Sequence, residues 1–147
     1  MSTWYSLGGV IPVKSNLVPV KVDKEISKML GEDSCLFEQC ECKQTEFLSM
    51  IYIRVDNQMS YSTMHQIHNL IVRLVKKFLL PGKVAYFDER GDDFPGETKR
   101  CYIGPRQDIL REKLAEQQRE LDLRRRQVDK LTREIRKGGK NHLESEL

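Results

Sequence analysis

Apolar and polar residues alternate from Phe47 to Val55, setting Phe47, Ser49, Ile51, Ile53 and Val55 on one side and Leu48, Met50, Tyr52 and Arg54 on the other. That period of two, with its β-branched and aromatic content, predicts a strand with one buried face. The period then changes. Met64, Ile67, Ile71, Leu74, Val75 and Phe78 recur at helical spacing, so a helix is expected from a cap at Ser60 or Ser62 to about Leu79, stopped by Pro81 and Gly82. Val84 to Phe87 and Arg100 to Ile103 read as two strands joined by a long polar tip holding Gly91, Asp92, Asp93, Pro95 and Gly96. Before Phe47 the pattern is weaker. The runs Val10 to Val13 and Leu17 to Val22 are each interrupted by a proline, Pro12 and Pro19, which suits edge strands or extended arms. Asp23 is positioned to cap a short helix through Leu30, with Ile26, Met29 and Leu30 buried and Gly31 supplying a left-handed exit.

These elements predict an α+β fold: a small, mostly antiparallel sheet with one main packing helix, because a helix and strands with one apolar face each bury those faces against one another. This domain is expected over residues 1–104, followed by a coiled-coil helix at 105–138 and a flexible tail at 139–147.

A third apolar pattern, with a period of 3.5, occupies the C-terminal quarter. Gly104 and Pro105 open a helix and Gly138 and Gly139 close it. With Gln107, Leu114, Leu121, Val128 and Ile135 at heptad position a, position d holds Leu110, Gln117, Arg124 and Leu131. The resulting seam of Leu110, Leu114, Leu121, Val128, Leu131 and Ile135 is the stripe that pairs helices in a coiled coil. Polar Gln117 and Arg124 weaken its middle and disfavour higher oligomers. In a parallel dimer Glu120 meets Arg125 of the other copy, which permits and weakly favours that direction. A helix from Arg106 to Lys137 would be about 48 Å long, more than the diameter of a domain of ~100 residues, so a homodimer or a helical protein partner is expected.

Charge changes the picture of this helix. Residues 1–97 hold 11 Lys or Arg against 13 Asp or Glu, whereas residues 98–140 hold 14 against 7. Arg119, Arg124, Arg125, Arg126, Lys130 and Arg133 are therefore candidate contacts to duplex phosphates, and a dimeric nucleic-acid-binding protein is the alternative function. Interspersed acids such as Glu112, Glu116, Glu120 and Asp122 instead favour a solvated face with pairs three or four residues apart. The helix also lacks interleaved aromatic residues for stacking on single strands.

Cys40 and Cys42 with His65 and His68 are a candidate Cys2His2 zinc site, since thiolate and neutral imidazole suit zinc. One residue between the cysteines is tighter than usual and a strand intervenes before the histidines, so small apolar thiols and a polar helix edge are the preferred reading and no cofactor is expected. Asp88, Glu89, Asp92 and Asp93 match no calcium loop and read as a solvated hairpin tip. No phosphate-cradling glycine loop or catalytic motif is present, so neither an enzyme nor a small-molecule substrate is expected. Without a bilayer-length apolar run, or a basic segment leading into an apolar stretch at Met1, an intracellular setting, cytoplasmic or nuclear, is expected, with no membrane partner. The function expected from the sequence is a non-enzymatic interaction or regulatory protein working through its coiled coil.

Overall fold

A computed structural model of the chain describes residues 2–14, 18–93, 95–138 and 143–147. It divides into two compact units, Met1–Ile109 and Leu110–Leu147. The first contains β1 (Thr3–Pro12), α1 (Pro19–Leu30), a 3-10 turn (Gly31–Leu36), β2 (Gln39–Gln44), β3 (Ser49–Met59), α2 (Tyr61–Phe78), β4 (Ala85–Gly91) and β5 (Lys99–Ile103); α3 (Arg106–Arg136) starts there and runs through the second unit. The strands form one five-stranded sheet in the order β2-β3-β1-β4-β5, antiparallel at every pairing. The fold is α+β, as the sequence predicts.

The N-terminal segment is a correction. Rather than an edge strand or arm, β1 is the central strand, paired with β3 along its full length and with β4 from Tyr5 to Val10. Pro12 is its last residue, so the missing donor falls where the ladder ends. Pro19 likewise opens α1 rather than interrupting an extended run, because at the first helical positions its absent N–H removes no intrahelical bond. Asp23 therefore lies inside α1 and does not cap it; its carboxylate accepts from the Cys42 N–H at 2.7 Å. Leu17, in the same expected run, lies outside the described residues, as do residues 139–142 of the expected tail.

Alternation sorts the strands into two faces. Tyr5, Leu7 and Ile11 of β1, Ile51, Ile53 and Val55 of β3, and Ala85 and Phe87 of β4 point into the core. There they meet Val22, Ile26 and Leu30 of α1 and Ile67, Ile71, Leu74 and Phe78 of α2 in a single cluster. Phe47, expected to continue the inward side of β3, precedes the strand and is 88% exposed. Ser60 caps α2, accepting from the Thr63 N–H, as the sequence implies. On the other face, Arg100 pairs with Asp88 through two contacts of 2.8 and 3.1 Å and lies over the Tyr86 ring, while Trp4 donates to Asp56 at 2.9 Å.

One inward row crosses the whole sheet: Cys40, Ile53, Gly9, Phe87 and Cys101. At its centre a side chain on Gly9 would run into the Tyr86 carbonyl oxygen and the Phe87 ring, while Gly8 has open space where a Cβ would go. Gly9→Ala should therefore cost about 1–3 kcal/mol through overpacking, and Gly8→Ala should stay within about 0.5 kcal/mol of wild type. Urea denaturation of the two single variants checks the difference.

Candidate functional site

Two features stand apart from ordinary packing. The first is the seam of α3. The helix spans 31 residues without a single buried one. Its six seam residues are 45 to 79% exposed, Leu110 the least and Ile135 the most. Leu123, at position c and off the stripe, is equally open at 57%. The basic residues Arg119, Arg124, Arg125, Arg126, Lys130 and Arg133 are exposed as well, and Arg119 approaches Glu112, seven residues before it, at 3.9 Å.

The second feature is a polar cluster on the core side of the sheet, which the sequence pattern did not reveal. β4 continues to Gly91, so Asp88 and Glu89 belong to a strand and not to a solvated hairpin tip. Alternation then turns Glu89 inward beside Phe87, with its side chain only 13% exposed. α2 lies above it and brings His68 Nε2 to 3.3 Å from Glu89 Oε1 and 2.8 Å from the Tyr5 hydroxyl. Hydrogen bonding from His68 holds the Glu89 carboxyl below its usual range against the opposing effect of burial, and Tyr5 adds to the lowering. Burial, then the Glu89 charge, drives the Tyr5 phenol far above the ordinary tyrosine value, so it remains a neutral donor. Burial and the same carboxylate also raise the Cys101 thiol. The other acids have separate partners: Asp92 accepts from Thr3 and from the Trp4 N–H, and Asp93 from the Tyr61 hydroxyl.

Cys40 and Cys42 lie on β2, Cys42 buried and held through its N–H by Asp23, while His65 and His68 lie on α2 with their rings 6.5 Å apart. The histidines are brought together and so are the cysteines, but among the described residues no three His, Cys, Asp or Glu side chains gather as a metal-ligand group. Burial, with the nearby Asp23 charge, pushes the Cys40 thiol up to about 12, away from the thiolate that zinc requires. All four cysteines are free thiols.

Beside the cluster is a cleft of 330 Å³ between α2 and β5. No helix among the described residues is long and apolar enough to cross a membrane. Comparison with protein-family models, with curated proteins and with solved structures finds no match.

Because the folded-state carboxyl of Glu89 is depressed, it adds stability that is fully present above the unfolded glutamate value of about 4.3 and is lost as the pH falls through the lower folded value. The urea midpoint of wild type should therefore drop more between about pH 5 and pH 3 than that of Glu89→Gln. At neutral pH that variant should be about 1–3 kcal/mol less stable, since charge-assisted bonds from His68 and Tyr5 are lost.

Proposed function

We propose that this chain is a non-enzymatic assembly protein whose α3 helix pairs with a second copy, doubling whatever surface the α+β domain presents. The observation that carries this reading is the open seam: six large apolar side chains at coiled-coil spacing, on a helix with no buried residue. Apart from Ile109, Ala115 and Leu123 the rest of the helix is polar, and burying each large aliphatic group of the stripe contributes about 1.5–3 kcal/mol in the limit of full burial. Gln117 and Arg124 limit the net gain, which suits two strands better than a larger bundle. Linking two copies raises avidity for a repeated target without any new contact.

Light scattering of the full chain tests it. The expected mass is twice the 17.2 kDa of one chain. Leu121→Asp or Val128→Asp should weaken association by at least about 2 kcal/mol, roughly thirtyfold, by placing a charge in the seam. Leu123→Asp, equally exposed but off the stripe, should leave the mass unchanged. A monomeric wild type, or equal sensitivity at Leu121 and Leu123, refutes the reading.

A further inference from the structure

The cleft beside His68 lies wholly within the first unit and does not depend on helix pairing. At the cleft, α2 brings His68 to Tyr5 of β1 and Glu89 of β4, while Cys101 and Ile103 on the inward side of the edge strand β5 stay only partly buried. Leu7 and Phe87 form its floor, Ile71 and Val72 one wall, and Cys101 and Ile103 the other. Its polar end holds His68, Glu89 and Lys99. At 330 Å³ it falls at the small end of ligand sites, which are typically about 300–1,000 Å³, mostly apolar, with a few convergent polar groups.

The charges at that end are not equivalent. The Glu89 side chain is only 13% exposed, and its carboxylate is engaged by His68 and Tyr5. It has little acceptor capacity left for a bound cation. Lys99, opposite Glu89 on the neighbouring strand, is exposed at the cleft mouth on a flexible stem that can lie along apolar surface while its ammonium stays wet. Lys99 also helps to lower the Glu89 carboxyl, yet its side chain stays exposed to a ligand, and the partly exposed surface beside it is apolar. We propose that this cleft binds a small monocarboxylic acid, its apolar body against the partly exposed Val72, Cys101 and Ile103 and its carboxylate on Lys99. Such a ligand goes beyond the sequence pattern, which gave no reason to expect a small molecule.

Two-dimensional amide NMR on the full chain provides the test, with octanoate, octanamide and N-acetyl-leucine as probes. Octanoate or N-acetyl-leucine should produce saturable shifts at His68, Val72, Cys101 and Ile103, the tighter of the two telling a free acyl acid from a peptide-type carboxylate. Octanamide should bind at least about tenfold more weakly than octanoate, a difference of about 1.4 kcal/mol. Lys99→Gln should remove that preference, and Val72→Trp, which fills the cleft, should abolish the shifts while leaving the rest of the spectrum folded. Unsaturable or scattered shifts with both acids overturn the site; equal binding of octanoate and octanamide, or an unaltered preference in Lys99→Gln, overturns the assignment of the ligand class.

Discussion

The backbone of Tyr86 and Phe87 packs directly against Gly9, and this approach at the middle of the sheet sets much of what surrounds it. With no side chain on Gly9, the Phe87 ring can settle into the row that joins all five strands, and β4 can follow β1 from Tyr5 to Val10 without bulging away. The register that follows sets Leu7 opposite Glu89 and Glu89 opposite Lys99. A one-residue slip would send Glu89 to the outer face and Asp88 into the core, because the side-chain period of a strand is two. The partly buried Tyr5, His68 and Glu89 cluster is thus a product of register, secured by packing two residues away.

Placing a carboxylate under a helix is costly unless its oxygens are occupied, and here the two nearest donors come from different elements, Tyr5 from β1 and His68 from α2. The cluster therefore ties the central strand to the main helix as well as solvating Glu89 internally. With His68 reaching β1 and β4, Cys101 and Ile103 of β5 remain only partly buried. The same contacts that stabilise the centre of the domain leave a cleft at one side.

The elements legible in the sequence were those whose side chains obey one period over a long stretch. β3, α2 and the long α3 helix were read from spacing alone; the observed buried faces of β3 and α2 agree, with Leu70 added to α2 and Phe47 removed from β3, while α3 buries none of its residues. β1 was misread because Gly8, Gly9 and Pro12 dilute its strand character; Gly9 is there for a close approach that only the tertiary structure reveals. β2 (Gln39–Gln44) is nearly all polar or cysteine, so its pairing with β3 follows from tertiary context more than from propensity. Glu89 was assigned to a loop because Asp88, Glu89, Asp92 and Asp93 look like a solvated run. The alternation Ala85, Phe87, Glu89 was the available signal, and extending β4 by one more pair would have turned that carboxylate inward.

The two outermost strands carry a further consequence. β2 has six residues and β5 has five, and each includes lysine, with arginine as well in β5. Short edges that carry charged side chains resist the addition of another strand, because a neighbour would have to order itself over a ladder too brief to repay the cost. An approaching strand would find only five or six residues to pair with at either border, so these edges offer little template for stacking one sheet on another.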